Sequence, residues 1–258
     1  MELNHISLCT GIAGIDLAAE WAGFKTVLQV EKEQAPYEIL CKHFPDVPKE
    51  RDVRHVTKQS VQQRGITGVT ILSGGFPCQP HSTAGKRKAS SDERDLWVEF
   101  ARIIREINPR WILAENVRGL LSSEDGRFFG NILRDLAEMG YHAGWGCWGA
   151  VHVGAYHRRE RVFIVAYSPS VRFDSGNLQS EQSFKTPPKT KAEQSGWRIR
   201  YIRARSGRVW LAPESVFERV AYDVPHELDR LKMLGNAVNP YQIYPLLKEI
   251  AEFENGGE

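Results

Sequence analysis

The sequence has no long hydrophobic run and few cysteines, and both absences exclude classes of protein. No uninterrupted apolar stretch approaches the roughly 18 residues that a transmembrane helix requires, and the first residues lack the basic start and apolar core of a secretory signal. Only 4 of the 258 residues are cysteine and no two form a CxxC pair, which argues against a zinc ribbon and a disulfide scaffold. We therefore expect an intracellular, cytoplasmic protein from a reducing compartment, with no metal site and no membrane contact.

The sequence also lacks a strong overall charge, but its basic residues are concentrated in one segment. The formal net charge is +2, which by itself implies no partner. Residues 185–208 contain eight basic residues and one acidic residue, a net charge of +7 that leaves −5 on the rest of the chain. A solvated insertion would have the same charge, but Trp197, Tyr201 and Trp210 lie among the arginines and supply apolar anchors. This basic segment is therefore predicted to bind a polyanion such as nucleic acid.

Strand and helix patterns alternate over the first two-thirds of the chain. Short β-rich runs predict strands at residues 6–8, 26–30, 69–72, 111–114 and 161–166. Apolar residues at helical spacing predict helices at residues 15–21, 34–43, 97–107 and 128–139. This alternation indicates an α/β fold with a largely parallel sheet.

The alternation stops between Ser168 and Asp229, where Ser, Gln, Pro, Lys and Arg dominate. Two short β-like pieces lie within this stretch, at residues 199–202 and 209–211, and a closing helix is predicted at 241–253. The predicted organisation has three parts: an α/β domain over 1–167, a small basic region over 168–230, and a C-terminal segment over 231–258 that returns to the domain.

A glycine-containing turn and an acidic residue indicate a site for a nucleoside cofactor. The turn Leu8–Gly14 joins the first strand to the first helix, where glycines let the backbone approach a ligand and the helix offers unpaired amides. Glu31 follows the second strand, where an acid commonly binds ribose hydroxyls in Rossmann-like folds. These two features do not separate a nicotinamide dinucleotide from S-adenosylmethionine.

Cys78 is the candidate nucleophile. It lies in the segment 74–82, Gly-Gly-Phe-Pro-Cys-Gln-Pro-His-Ser, just after the predicted strand 69–72, at the sheet edge where open parallel sheets place their sites. Flanking prolines and preceding glycines predict a stiff loop that presents a single thiol, which becomes a strong nucleophile when ionised. The remaining cysteines are expected to be small buried hydrophobic residues: Cys9, Cys41 and Cys147.

Three charged residues follow or precede later strands. Glu115 comes after an apolar strand, where a carboxylate is costly to bury unless it is paired or functional, and a surface position is the alternative. Arg159 and Arg161 lead into the next strand, and their spacing of two predicts that they project to one face. Phosphate contact or simple surface charge would explain the arginines equally well.

The motifs taken together resemble the DNA (cytosine-5) methyltransferases. The similar stretches occur in the family's order and span nearly the whole chain except about 168–230. They are residues 7–15, Ala22-Gly23-Phe24, Glu31, the Pro-Cys-Gln loop at 77–79, Glu115-Asn116-Val117, residues 159–163, and Gly235-Asn236-Ala237-Val238-Asn239-Pro240. The resemblance implies a Rossmann-like S-adenosylmethionine-dependent methyltransferase sheet with helices on both faces, plus a small basic target-recognition module.

The resemblance implies a catalytic role for four residues. Cys78 would add to carbon 6 of a cytosine flipped out of the duplex, so that carbon 5 can accept a methyl group. Glu115 would supply a proton at ring nitrogen 3, and Arg159 and Arg161 would orient the flipped base and the catalytic loop.

The same resemblance implies two sets of binding residues. S-adenosylmethionine, with S-adenosylhomocysteine as product, would be held by Cys9, Thr10, Gly11, Ile12, Ala13, Gly14, Glu31, Asp52, Val53, Pro77, Asn236 and Val238. Double-stranded DNA would be held by Gln79, Ser82, Lys86, Arg87, Arg198, Arg200, Arg203 and Arg205.

The leading interpretation is therefore a monomeric DNA cytosine-5 methyltransferase with no obligatory protein partner, acting near the nucleoid in restriction-modification or in protection of phage or host DNA. An RNA cytosine methyltransferase acting on transfer RNA is the nearest alternative. A non-catalytic nucleic-acid-binding relative and a nicotinamide-dependent oxidoreductase are two others. The intact set of candidate catalytic residues argues against the former, and the Pro-Cys-Gln loop argues against the latter.

Overall fold

The computed structural model describes residues 2–76, 96–155, 158–171, 199–203, 209–213 and 237–256, and only the backbone of 199–203 and 209–213. The strands are β1 (Asn4–Leu8), β2 (Lys25–Val30), β3 (Lys49–Glu50), β4 (Ile71–Gly75), β5 (Trp111–Val117), β6 (His142–Trp148), β7 (Arg161–Tyr167), β8 (Ile199–Arg203) and β9 (Val209–Pro213). The helices are α1 (Gly14–Trp21), α2 (Gln34–His43), α3 (Lys58–Gln63), α4 (Leu96–Ile107), α5 (Arg127–Glu138) and α6 (Pro240–Glu254). Short 3₁₀ helices lie at Val53–His55, Arg118–Gly126 and Ala150–Val153.

Seven strands form one sheet in the order β3-β2-β1-β4-β5-β7-β6. The first five strands of this order are mutually parallel, whereas β7 runs antiparallel to both β5 and β6. The chain winds outward in one direction from β1 to β3 and in the other direction from β4. The switch point therefore lies between β1 and β4, and ligands of open α/β sheets bind beside this point at the carboxyl ends of the strands.

Alternating side chains of the sheet enter two apolar clusters, one on each face. Ile6 and Leu8 of β1 pack in a cluster with apolar residues of α4 and α5. Leu3 and Ile71 pack in the other cluster with residues of α1 and α6. Because each face of the sheet needs its own helical cover, this arrangement confirms the predicted Rossmann-like α/β fold with helices on both faces.

Most helices and strands of this fold were predictable, but the structure corrects several details. β6 was not predicted, because its sequence HAGWGCW contains two glycines and lacks polar–apolar alternation; it is a strand through its pairing with β7. The short β3 and α3 were missed as well. The expectation of buried cysteines is wrong for Cys41 and Cys147, which are exposed, and Cys9 is partly buried.

Within the basic segment 185–208, the structure describes only the backbone of β8, and β9 follows directly after the segment. β8 and β9 pair as an antiparallel hairpin, with Ile199 opposite Pro213 and Arg203 opposite Val209. Its role in target recognition stays a prediction. Among the helices in the described part of the chain, none is long and apolar enough to cross a membrane.

Candidate active site and cofactor site

The β1–α1 turn has an unusual backbone that is fastened to β2. Cys9, Gly11 and Ala13 have positive φ angles of 50°, 59° and 67°, which lie in the left-handed region. Thr10 holds the turn in place, because its N–H donates to the Val30 carbonyl at 2.9 Å and its hydroxyl accepts from the Val30 N–H at 3.1 Å. These two hydrogen bonds therefore fix the position of the turn relative to the end of β2.

Glu31 lies next to this turn and is bonded by backbone amides. It is 8% exposed, and its two oxygens accept N–H groups from Gly11 at 2.7 Å and Glu33 at 2.8 Å. The prediction that Glu31 follows the second strand is confirmed, since β2 ends at Val30. The carboxylate thus ties the β1–α1 turn to the loop after β2.

Three buried polar side chains, those of Asp16, Ser7 and Gln29, are hydrogen-bonded to one another next to the same turn. Asp16, in the first turn of α1, is fully buried and accepts hydrogen bonds from Ser7 Oγ of β1 and Gln29 Nε2 of β2, both at 2.9 Å. Burial raises the pKa of Asp16 to about 6, while the bonds from Gln29 and Ser7 act in the opposite direction. Nothing in the sequence pattern singled out Asp16, because an acid in the first turn of a helix is common.

The C-terminal segment closes over the start of α1. A Cβ atom at Gly14 would collide with the backbone carbonyl of Val238, so only glycine permits this approach. Asn239 begins α6 as its N-cap, its side-chain oxygen accepting from the Tyr241 N–H at 3.0 Å. The structure thus brings the predicted cofactor residue Val238 to the predicted cofactor turn.

Asp52 and Val53 lie beyond β3, and Asp52 has a strong partner of its own. Both Asp52 oxygens face the guanidinium of Arg54, with an Nη2–Oδ2 distance of 2.6 Å, and this bonding places the pKa of Asp52 well below its usual range. Asp52 also accepts from the Arg54 N–H at 3.0 Å, which caps the 3₁₀ turn that begins at Val53. A cofactor amine at Asp52 would therefore share the carboxylate with Arg54.

The Cys9 thiol belongs to the cofactor turn and is unsuited to nucleophilic chemistry. Burial, followed by the nearby Glu31 carboxylate, raises the pKa of Cys9 to about 12. A thiol with this pKa stays protonated near neutral pH, and the thiolate is the nucleophilic form.

Glu115 forms a second centre at the same sheet edge. It lies within β5, two residues before the strand ends, rather than after the strand as predicted. It is 6% exposed, and its Oε1 lies 2.9 Å from Arg161 Nε. Across the sheet it pairs with Gly75 of β4, where a Cβ atom would lie 2.9 Å from Glu115 Oε2. Glycine at this position therefore gives the carboxyl group its space.

The environment of Glu115 favours its protonated form more than water does. Burial raises its pKa to about 7, even though the positive charges of Arg161 and then Arg159 act to lower it. Near neutral pH the group therefore exists in comparable amounts as acid and as carboxylate. Such a group can donate a proton in catalysis.

Asn116 links the Glu115 centre to the end of β4. Its Nδ2 donates to the Phe76 carbonyl at 2.8 Å, and its Oδ1 accepts from the Val117 N–H. Phe76 is buried and packs against the rings of Trp97 and Phe100, at centroid distances of 5.4 and 6.0 Å. The hydrogen bond from Asn116 and the two ring contacts therefore fix the position of Phe76, the last described residue before Cys78.

Arg159 reaches the site in a way that the sequence did not predict. β7 begins at Arg161, so the two arginines do not project to one face as successive strand positions; Arg159 precedes the strand with a φ of 36°. Its Nη2 donates to the Ala237 carbonyl, and its own carbonyl accepts from Gln242 Nε2 at 3.2 Å. Burial, then repulsion from Arg161, lowers the pKa of Arg159, whereas Glu115 acts to raise it.

The described residues thus unite Glu115, Arg159 and Arg161 at one centre, and Thr10, Gly11, Gly14, Glu31 and Val238 at the other. Several predicted site residues fall outside the described residues: Cys78, Pro77, Gln79, Ser82, Lys86, Arg87, Arg198, Arg205 and Asn236, together with the side chains of Arg200 and Arg203. Sequence reasoning gave no role to the buried polar residues Asp16 and Gln242.

The fold and its two buried carboxyl centres define a class: a Rossmann-like α/β protein with a turn suited to a nucleoside cofactor and a carboxyl group suited to acid–base chemistry. The model of the C-5 cytosine-specific DNA methylase family matches residues 3–210. The chain belongs to this family.

Several similar proteins agree with this assignment. The Type II methyltransferase M.NgoMIV of Neisseria gonorrhoeae is 36% identical over 167 residues, which are 64% of this chain and 52% of that protein. M.AquIA, a Type II methyltransferase of Picosynechococcus sp., is 33% identical over 178 residues, covering 64% of this chain and 72% of its own. A DNA modification methyltransferase encoded within an E. coli prophage superimposes with a TM-score of 0.59 at 26% identity, covering 67% of this chain and 49% of its own. The chain therefore matches about half the length of the first and third of these proteins.

The methyl donor of this family is S-adenosylmethionine, and the residues of the cofactor centre fit it. A carboxylate has about four acceptor directions. The amides of Gly11 and Glu33 bond once to each Glu31 oxygen, so further directions remain for ribose hydroxyls. The Ala13 N-cap of α1 makes no side-chain capping hydrogen bond.

Proposed function

We propose that this protein transfers a methyl group from S-adenosylmethionine to carbon 5 of cytosine in DNA. The observation that carries the proposal is the buried Glu115, with a pKa near 7, facing Arg161 beside the end of β4 in a chain of the cytosine-5 methylase family. Cys78 follows the last described residue of that strand end, Phe76, by two positions in the sequence. S-adenosylmethionine, when bound, would supply the methyl group as a methyl cation equivalent. Side chains of this protein would carry out the other steps.

Cys78 is the proposed nucleophile. Its sulfur adds to carbon 6 of the cytosine ring while Glu115, as the acid, donates a proton to ring nitrogen 3. The addition makes carbon 5 nucleophilic enough to take the methyl group. Loss of the proton from carbon 5 to solvent then restores the double bond between carbons 5 and 6 and expels Cys78 as a thiolate, and the proton on nitrogen 3 returns to the Glu115 carboxylate.

Glu115 suits this role because its pKa lies near neutrality. A carboxyl group that ionised at its ordinary pKa of 4.5 would almost always lack the proton near neutral pH. The arginines prevent the pKa from rising further, because both favour the carboxylate. Arg161, whose Nε lies 2.9 Å from Glu115 Oε1, would orient the carboxyl group by charge attraction, and Arg159 would add a positive charge beside the bound base.

The cofactor centre is proposed to hold the nucleoside of S-adenosylmethionine through Glu31 and the β1–α1 turn. Asp52 and Val53 would contact the adenine edge, the turn Cys9–Gly14 the methionine part and Glu31 the ribose. Pro77, Asn236 and Val238 would form the remaining wall. The proximity of Val238 to Gly14 supports the last of these assignments.

Duplex DNA is the proposed partner, and the target base must leave the stack to reach Cys78. The basic segment 185–208 and the loop residues Gln79, Ser82, Lys86 and Arg87 would contact the backbone. We assign residues 1–167 to catalysis, 168–230 to target recognition and 231–258 to completing the site. A monomer acting inside a prokaryotic or phage-infected cell, in restriction-modification or DNA protection, follows from the same proposal.

The test of the proposal is covalent capture. Duplex DNA containing 5-fluorocytosine cannot lose a proton from carbon 5, so incubation with S-adenosylmethionine should give a denaturant-resistant complex with the wild-type chain. Cys78→Ser should give no complex and no methyl transfer, while it binds the cofactor as the wild type does. Cys147→Ser, which removes an exposed thiol, is the matched control and should retain both. Turnover by Cys78→Ser would refute the proposed mechanism.

The same assay decides between nucleic acids. Duplex DNA and structured RNA, each with a labelled methyl donor, are offered side by side. Labelling of DNA supports the proposal, whereas labelling of RNA alone would assign the protein to RNA cytosine methylation.

The basic segment gives a separate test of the DNA assignment. Replacing Arg198, Arg200, Arg203 and Arg205 with glutamine should weaken DNA binding and lower the slope of log affinity against log salt, by roughly 0.9 for each phosphate that is no longer neutralised. Arg134→Gln, which neutralises an exposed arginine of α5, is the matched control and should leave the slope unchanged. An unaltered slope in the variant with all four arginines replaced would show that the basic segment does not contact DNA phosphates.

A further inference from the structure

Gln242 is a fully buried polar residue that the proposed chemistry does not use. It lies in the first turn of α6, far in sequence from every strand of the large sheet. Buried amides are costly unless they are hydrogen-bonded, so the partners of this side chain indicate what it does.

The side-chain amide of Gln242 joins two segments on either side of one loop. Its Nε2 donates to the carbonyls of Trp148 and Arg159, both at 3.2 Å. The backbone carbonyl of Gln242 accepts the indole N–H of Trp148 at 3.1 Å. Trp148 ends β6 and Arg159 approaches β7, so α6 fastens the loop between these strands where it leaves the sheet and where it returns.

The fastened backbone is strained at Arg159. Its φ of 36° lies in the left-handed region, which is unfavourable for a residue with a long side chain. Such a conformation persists only where surrounding contacts hold it, and the Gln242 bond acts on the carbonyl of this same residue. One residue earlier in the sequence, the Arg158 carbonyl accepts a hydrogen bond from the Ala150 N–H at 2.7 Å.

The contacts of Gln242 continue to the Glu115 centre. The Trp148 ring stacks on Phe163 at a centroid distance of 4.3 Å, and Phe163 pairs with Glu115 across β5 and β7. Trp148 also pairs with Arg161 across β6 and β7. Gln242 therefore binds Arg159 itself and the strand neighbour of Arg161.

We propose that Gln242 is a positioning residue that holds Arg159 in its left-handed conformation and thereby directs its guanidinium to the Glu115 centre. The inference rests on the proposed function, because Arg159 needs this placement only if a base is bound and turned over there. It gives α6 a role in the reaction in addition to covering α1.

The test is a double-mutant cycle on the 258-residue chain. Gln242→Leu removes the amide at similar size, Arg159→Ala removes the positioned group, and the third variant combines both. Gln242→Leu alone should lower kcat about tenfold or more, since it removes two buried hydrogen bonds. In the Arg159→Ala background it should lower kcat no further, and the affinity for S-adenosylmethionine should stay within about twofold.

A neighbouring residue supplies the control. Ile243 is fully buried in the same helix turn and belongs to the apolar cluster beneath α6. Ile243→Ala should lower the melting temperature but act equally in both backgrounds, as a purely structural change does. Equal effects of Gln242→Leu in the two backgrounds, or an effect no larger than that of Ile243→Ala, would overturn the proposal.

A second variant and an assay of the wild-type chain make the outcome of the cycle unambiguous. If circular dichroism shows that Gln242→Leu does not fold, the cycle is run with Gln242→Asn, which keeps a buried amide of shorter reach, and the same criteria apply. The wild-type chain is assayed first on DNA and RNA. Absence of methyl transfer by wild type refutes the proposed function, whereas an active wild type with an additive cycle refutes the role of Gln242 alone.

Discussion

Glu31 and Glu115 are both buried carboxyl groups at the same edge of one sheet, but their surroundings differ. Glu31, at the end of β2, accepts hydrogen bonds from two backbone amides. Glu115, within β5, faces the side chains of two arginines and has its pKa raised to about 7 by burial. Backbone N–H donors hold the Glu31 carboxylate in place as an acceptor for a ligand. Burial and the charges of the arginines, in contrast, set the pKa of Glu115 near neutrality. Under the proposed function, this edge therefore has a binding half at Glu31 and a reacting half at Glu115.

The largest expected effect comes from the reacting half. Glu115→Gln removes the proton donor while it keeps the size of the side chain, and general acid catalysis contributes roughly 10²- to 10⁴-fold. We expect kcat to fall by that order and the KM for S-adenosylmethionine to change little. Steady-state kinetics on duplex DNA measures both. If kcat survives in this variant, the division between the halves is wrong.

The binding half should give the opposite pattern. Glu31→Gln turns one carboxylate oxygen into an N–H₂ group, so a proposed hydrogen bond from a ribose hydroxyl to the carboxylate is lost together with one backbone bond. Such bonds contribute about 1.5–3 kcal/mol, which corresponds to roughly ten- to hundredfold in affinity. We expect the KM for S-adenosylmethionine to rise by this factor while kcat at saturation stays near wild type. Calorimetric titration of the cofactor provides an independent check, and an unchanged dissociation constant would count against the ribose assignment.

The pH dependence of the rate separates the halves more finely. Glu115 is a donor only while protonated, and its pKa is raised to about 7. The rate should therefore be maintained below pH 7 with respect to this group and should fall up to about tenfold per pH unit above it. The alkaline decrease should vanish in Glu115→Gln and persist in Glu31→Gln. A wild-type profile that stays flat from pH 7 to pH 9 would contradict the role of Glu115 as the acid.

How far the sequence predicted each half depends on how local its interactions are. The β1–α1 turn and Glu31 were predictable because strand, turn and acid follow one another within a short stretch of chain. The placement of Arg159 was not, because its conformation depends on Gln242, 83 residues away in the sequence. A glutamine or an aspartate in an amphipathic helix resembles a surface residue, so Gln242 and Asp16 gave no signal before the packing of α6 and β2 was known. β6 was missed for the same reason, since pairing with β7 makes it a strand.

The smallest expected effect concerns stability, where a buried base near the amino end of β1 opposes the buried acid of the reacting half. His5 of β1 is fully buried between Thr26 Oγ1 and Ser73 Oγ, and burial lowers its pKa from 6.5 to about 3. The unfolded chain therefore binds this proton first, so His5 costs stability as the pH falls below 6.5; between pH 7 and pH 6 the loss is about 0.7 kcal/mol. Glu115 has the reverse sign, because its raised pKa makes the folded chain hold the proton, and the same pH step should add about 1 kcal/mol to the free energy of unfolding.

Urea unfolding of wild type, His5→Gln and Glu115→Gln at the two pH values measures both contributions. Relative to wild type, His5→Gln should gain stability on acidification and Glu115→Gln should lose it; shifts of the same sign in both variants would show that burial does not move the two pKa values in opposite directions.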